Sequence, residues 1–351
     1  MKDIHGLALG TSVPAAGEAF NRALHSYLGQ RADLTQHVKA TLEADPEFAM
    51  GHCLMGTLMM LAYNRNHAAL AVNVHRDAAA LGRGATAREQ AHIRALGRWV
   101  AGDMEGALGE WEATLASWPA DVLAMRLAHF NYFWLGRARD MRASLERIAP
   151  HWSHAMAAYP TLLSCQAFAL EECGDYGRAE ETARHALALE PYDGWAQHAV
   201  AHVMEMQGRA EDGIGWMVAR EPYWSGDTNF FKVHNFWHRA LCHLDLGQMD
   251  PVWGLYDGPI RGSKSAVALD LVDASALLWR VWMAGHDAGD RWHELAQAWD
   301  AHADGVLYPF NDVHAVMAYL GAERHDAIER VRAAQASAAS RSRGPVSVAS
   351  L

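Results

Sequence analysis

Apolar residues recur along this chain at helical spacing, in short blocks bounded by polar residues and closed by a recurring glycine. The glycine stands at Gly29, Gly102, Gly136, Gly174, Gly208, Gly247, Gly285 and Gly321. From Gly102 onward the gaps are 34, 38, 34, 39, 38 and 36 residues. The first gap of 73 is two such steps, with a glycine-free turn near residues 63–66. Gly29, Gly102 and Gly174 are each followed seventeen positions later by Pro46, Pro119 and Pro191, which stop a second helix from continuing. Asp103 and Asp175 directly follow their glycines, where a short side chain caps that second helix. A small residue for the helix crossing, seven positions before the glycine, is supplied by Ala95, Ala167, Ala201 and Ala240; His129, Leu278 and His314 fill that slot elsewhere.

This register predicts an all-α fold. A period slightly longer than the 34-residue tetratricopeptide unit implies a tetratricopeptide-like α–α superhelix, a solenoid of about nine helix–turn–helix units. A single domain is expected over residues 1–332, with the Ala/Ser-rich tail 333–351 disordered. Two stretches break the rhythm: a long helix ending at the Gly82–Gly84 turn, and the segment 221–233, which reads as a functional loop folding over the concave opening.

In such units the first helix faces the concave surface. The unit ending at Gly208 places Trp195, His198, His202, Glu205 and Met206 there, and His198, His202 and Glu205 fall at i, i+4 and i+7 on one helix face. The next unit contributes His234, Asn235 and His238; later units add Asp270, Asp273, Asn311, Asp312 and His314. Upstream units offer His92, Arg126, Phe130, Phe133, Trp134, Phe168 and Glu171. The lining is thus aromatic on one side and rich in ionisable groups on the other, as in a small-molecule pocket. His198, His202, Glu205, His234, His238 and Asp273 are the candidate catalytic groups and are expected to converge. Trp195, Asn235, Asn311, Asp312, His314, Phe168 and Trp224 are candidate substrate contacts. One His-x3-His pair is weak evidence in a chain with 21 histidines, and the 14 tryptophans mostly fill space between helices; the weight lies in the combination.

Composition narrows the partners. With 30 basic against 41 acidic residues the formal charge is −11, and no basic stripe carries interleaved aromatics, so nucleic acid is excluded as an expected partner. No run approaches the ~20 apolar residues of a membrane span, and the first residues lack the apolar core of a signal peptide. The four cysteines, Cys53, Cys165, Cys173 and Cys242, are scattered and read as reduced core thiols of a cytoplasmic protein.

The blocks AQHAVAHVMEMQGRAEDGIGWM (196–217), VHNFWHRALCHLDLGQMD (233–250), LDLVDASALLWRVWMAG (269–285) and LYPFNDVHAVMAYLGAERHD (307–326) resemble the tetratricopeptide repeat protein 38 family. The resemblance is densest over 190–326 and includes the polar cluster. It implies a superhelix of this length and a soluble intracellular protein. It carries over His198, His202, Glu205, His234, Asn235, His238, Asp270, Asp273, Asn311, Asp312 and His314 as motif positions, and it implies no particular reaction.

Three functions remain open on the sequence. The first is a small-molecule enzyme or binder, using imidazoles and carboxylates for acid–base chemistry or holding a divalent metal (Zn, Fe or Mn) on His198, His202 and Glu205. No HExxH, phosphate loop, dinucleotide fingerprint or nucleophile elbow is present, which disfavours metalloprotease, nucleotide and serine-hydrolase chemistry. The second is a scaffold holding a peptide or partner protein in the groove, a homodimer included. The third is a purely structural hydrogen-bond network.

Overall fold

Six of the marker glycines, Gly102, Gly136, Gly174, Gly208, Gly247 and Gly285, have φ between +66° and +87° in the computed structural model, which describes residues 1–303 and 308–341. This left-handed backbone closes a helix and satisfies its last carbonyls. At Gly174 the N–H donates to Glu171 O at 2.8 Å, and that of Asp175 donates to Leu170 O at 2.9 Å. An L side chain there would strain the backbone by about 1–2 kcal/mol, which is why glycine marks the turn. The other two glycines act differently: Gly29 has φ −82° and the left-handed residue is Gln30, at 52°. Gly321 still belongs to a helix, and Glu323 takes φ 56°. The glycine-free turn near 63–66 is made by Tyr63, at φ 50°.

The helices are α1 (Pro14–Leu28), α2 (Leu34–Ala44), α3 (Ala49–Leu61), α4 (Arg65–Leu81), α5 (Ala87–Val100), α6 (Met104–Ser117), α7 (Val122–Trp134), α8 (Ala138–Ile148) and α9 (Tyr159–Glu172). They continue as α10 (Tyr176–Leu189), α11 (Gly194–Met206), α12 (Ala210–Trp224), α13 (Lys232–Asp245), α14 (Met249–Leu255), α15 (Ala268–Met283), α16 (Arg291–Trp299), α17 (Pro309–Gly321) and α18 (His325–Arg341). The fold is all-α and repeats a helix pair, with no β-strand among the described residues.

Where the sequence reading expects one domain, the chain divides into two compact units. The first comprises Met1–Met60, Ala69–Gly208 and Val218–Lys232; the second comprises Leu61–Ala68, Arg209–Met217 and Val233–Leu351, as far as it is described. In the first unit α1 packs on α2, and from α5 to α11 each helix packs on its successor; first helices also meet, α7 with α9 and α9 with α11. In the second, α15, α16, α17 and α18 pack in the same manner, with α15 also against α17. Ala95, Ala167, Ala201 and Ala240 are all buried, as the crossing positions require. Asp103 caps α6 by accepting Gly106 N–H at 2.9 Å, whereas Asp175 makes no such cap on α10.

Two expectations change. Helix α12 runs through Pro222 to Trp224, leaving a turn of 225–231 in place of the long loop. The proline stands in the final turn, where its missing N–H forfeits one hydrogen bond and the helix ends two residues later. The turn is tied to the α1–α2 connection: Ala32 N–H donates to Thr228 O at 2.8 Å and Phe230 N–H to Gln30 O at 2.8 Å. Of the aromatics in this segment Trp224 is buried, whereas Tyr223 and Phe230 stay exposed. At the other end α18 continues to Arg341, past the expected boundary at 332, because Ala333, Ala334 and Ala336 are strong helix formers despite their polar neighbours. The remainder of the expected tail, 342–351, lies outside the described residues.

Candidate functional site

In the first unit α7, α9 and α11 meet through a cluster of mostly buried rings. Asp193 starts α11 by accepting the N–H groups of Trp195 at 2.9 Å and Ala196 at 3.0 Å. This fixes Trp195 with its ring 4.6 Å from Phe168 and 4.9 Å from Phe130. The Trp195 indole N–H donates to His129 Nε2 at 3.2 Å, so His129 is a neutral acceptor; burial, then the charge of Arg126, holds its pKa well below the usual value. One turn along α11, His198 stacks on Phe168 at 5.5 Å, meets Phe231 at 5.0 Å and lies 4.1 Å, ring to ring, from His202. The i, i+4 spacing of the two histidines therefore places them together on one face of α11.

His202 faces acid from α9. Its Nδ1 lies 3.4 Å from the buried Glu171 carboxylate. Burial pushes the imidazole towards neutrality, but Glu171, Glu205 and Glu172 together outweigh it and raise the pKa. Glu171, Glu172 and His202 each present one ligand atom, all within 4.8 Å of one another. Beside the set expected from one helix, His198, His202 and Glu205, this unit thus brings carboxylates of α9 against His202. Spacing along a single helix cannot reveal those partners. Trp224, expected to contact substrate, is buried, and its backbone carbonyl accepts the Asn229 side-chain amide at 2.8 Å.

Within the second unit runs a chain of polar groups. His234 Nδ1 lies 2.8 Å from Asp273 Oδ1, and His238 Nε2 lies 3.1 Å from His234 Nε2. With Asp273 ionised, the hydrogen-bond network assigns the His234 proton to Nδ1, leaving Nε2 to accept from His238 N–H. The His234 ring stacks on Trp237 at 5.2 Å, and Arg280 covers Trp237 at 5.4 Å. His238 and Asp273 are buried while His234 is partly exposed, so the chain runs from the interior to an accessible imidazole. Asn235 is fully buried, and its carboxamide has no hydrogen-bond partner among the described residues. Asn311 instead holds a turn, donating to Tyr63 O at 3.0 Å, and Asp312 accepts from Gln335 at 3.3 Å. His314 is tied to Phe310 O at 2.8 Å, and burial lowers its pKa.

Asp270 sits at the start of α15, where burial pushes its carboxyl up to about 6 and Asp273 adds to the effect against Ser265, Arg261 and His234. Between pH ~4 and ~6 the folded state therefore binds more protons than the unfolded one, and stability rises as pH falls through this window. Asp270→Asn is expected to stabilise the protein by about 1–2 kcal/mol at pH 8 and by almost nothing at pH 4. Urea unfolding at the two pH values checks this; equal effects at both would refute the assignment.

No family model matches this chain. Among solved structures, the tetratricopeptide-repeat domain of P58(IPK) is similar over 88% of both chains, at 11% identity and a TM-score of 0.26. The repeat is carried by the chain's own helix pairing and by its left-handed turn residues. No described helix is long and apolar enough to cross a membrane.

Proposed function

We propose that this tetratricopeptide-type chain, akin to the repeat protein 38 family, binds a small molecule and acts on it by acid–base chemistry. The observation that supports this reading is the Asp273–His234–His238 chain at 2.8 and 3.1 Å. A helix-pair repeat needs no such arrangement for stability, since apolar residues would pack there without desolvating charge. An imidazole oriented by a buried carboxylate has a fixed tautomer and a fixed direction for the lone pair of its other nitrogen, as a general base requires. His234 would take a proton from the bound molecule at Nε2, the atom that otherwise accepts from His238, and later return it, while Asn235 would orient a polar group beside them.

Glu171, Glu172 and His202 support a second site of this kind, one for a divalent ion such as Zn, Fe or Mn, with mixed imidazole and carboxylate ligation. Elemental analysis of His202→Ala should then show the metal lost and helicity kept.

A thermal-shift screen of the full chain against a small-molecule library tests the main reading. Hits should be lost by at least ten-fold in affinity in both His234→Ala and Asp273→Asn, with circular dichroism unchanged. Hits that survive both changes, or a screen without hits, would remove the proposal and favour the structural network.

A further inference from the structure

Three arginines are buried among the described residues, Arg88, Arg126 and Arg261, and two of them are matched by carboxylates. Arg88 lies 3.1 Å from Asp121 and 3.6 Å from Asp3. Arg261 grips Glu294 side-on, Nε at 3.0 Å and Nη2 at 2.8 Å. The half-buried Arg291 holds Asp257 by the same edge, with Nε at 2.8 Å. Arg126, on α7, is 1% exposed and forms no ion pair with any described residue. Its hydrogen bond runs from Nη1 to the Cys165 thiol at 3.2 Å, and Nε and Nη2 have no partner. The unmatched edge is the one with which Arg261 and Arg291 hold carboxylates.

The surroundings are built around this edge. Phe130 and Trp195 lie 4.4 and 4.7 Å from the guanidinium carbon, so cation–π contacts keep the group in place without satisfying its donors. The Tyr27 hydroxyl, also buried and without a hydrogen-bond partner, is close enough for Arg126 to act on its ionisation. Asp193 feels the same charge, yet it accepts from two N–H groups of α11 and makes no ion pair with Arg126. An uncompensated buried guanidinium costs several kcal/mol, and a repeat helix gains nothing from it that leucine would not give.

We propose that Arg126 and Tyr27 form a subsite for the carboxylate of a small organic acid, seated side-on against Nε and Nη2 beside the rings of Phe130 and Trp195. Two parallel N–H donors match two carboxylate oxygens, and one uncompensated cation matches a monoanion. A phosphate dianion would bring a second charge that no other cation in contact neutralises. The rings select an apolar or aromatic body next to the carboxylate. This site draws only on residues of the first unit and does not depend on the acid–base reading of the second.

Isothermal titration of the full chain with sodium benzoate and sodium acetate tests the assignment, with benzamide as the uncharged isostere and inorganic phosphate as the competing anion. Benzoate should bind saturably with one-to-one stoichiometry, acetate more weakly, and benzamide not at all. Arg126→Met should weaken benzoate at least ten-fold while the melting temperature holds or rises, because an unmatched charge is removed. Should that variant fail to fold, Arg126→Lys keeps the charge, loses the fork and should weaken benzoate by a similar factor. Tyr27→Phe should weaken it several-fold. The proposal is overturned if neither carboxylate saturates the wild type, if the Arg126 variants bind benzoate as tightly as it does, or if phosphate binds at Arg126 in its place.

Discussion

Asp121→Ala is expected to lower stability by about 3–5 kcal/mol, the loss seen when one member of a buried charge pair is left alone. Asp121 is 1% exposed and serves three donors. One oxygen accepts Arg88 Nη1 at 3.1 Å and faces His92 Nε2 at 2.8 Å; the other accepts Ala124 N–H at 3.0 Å and so starts α7. Alanine would remove the helix cap and leave Arg88 with Asp3 at 3.6 Å and the Ala8 carbonyl at 3.0 Å, both on the N-terminal segment. The change should therefore loosen residues 1–9 as well as α7. Arg98→Ala, which breaks an exposed pair with Asp103, should cost under about 1 kcal/mol.

The pH dependence has a definite sign. Burial pushes the Asp121 carboxyl up, but the charge and hydrogen bond of His92, then Arg88, then the Ala124 N–H outweigh it and hold the group far below the usual carboxylate range. At acid pH the unfolded state binds the extra proton, so this contribution is complete above pH ~4 and is lost as pH falls. Urea unfolding at pH 7 and pH 3 should show a wide gap between wild type and Asp121→Ala at the first value and a narrower one at the second. A loss below 1 kcal/mol at pH 7 would mean that the network carries no net stability.

Asp121 also shows where the sequence stops being informative. The text around it marks a boundary, Pro119 and then an apolar run, and on that reading a capping aspartate is one more helix start. Its partner Arg88 lies on the preceding first helix, and nothing in the spacing joins them. The same division runs through the candidate site. His198 with His202, and His234 with His238, are legible because i, i+4 neighbours share a helix face whatever the tertiary structure. The carboxylates around His202 are less so: spacing suggests Glu205 on the same helix, and Glu171 of α9, which also faces the imidazole at 3.4 Å, is joined to it only by the packing of helices. Asn311 and Trp224 have the residue types of a binding site, yet Asn311 donates to the Tyr63 carbonyl, far away in sequence, and Trp224 is buried. The repeat itself is legible because left-handed turns must recur at the period of the unit, and glycine is the residue that recurs with them.

Gly321→Ala is expected to destabilise the protein by about 2–3 kcal/mol, more than the same change at a left-handed turn. Gly321 continues the 34–39-residue rhythm of the marker glycines, but it closes α17 in helical conformation, and the left-handed residue is Glu323. Its glycine is required by packing: a Cβ would stand 2.2 Å from Trp292 Cδ2 and 2.5 Å from Cγ and Cε2. Trp292 is 5% exposed and rigid, so the indole or α17 must move, a larger cost than the helix propensity that alanine returns. At Gly174, by contrast, φ is +78° and a Cβ would meet nothing within 4 Å, so alanine there should cost about 1 kcal/mol from backbone strain alone. Glu323→Gly, which relieves a left-handed side chain, should stabilise by about 0.5–1 kcal/mol. The order of the three melting temperatures decides the matter. If Gly174→Ala proves more damaging than Gly321→Ala, both glycines serve backbone conformation. If the packing account holds, the cost of Gly321→Ala should fall by more than half in a Trp292→Ala background, because the group it collides with is gone.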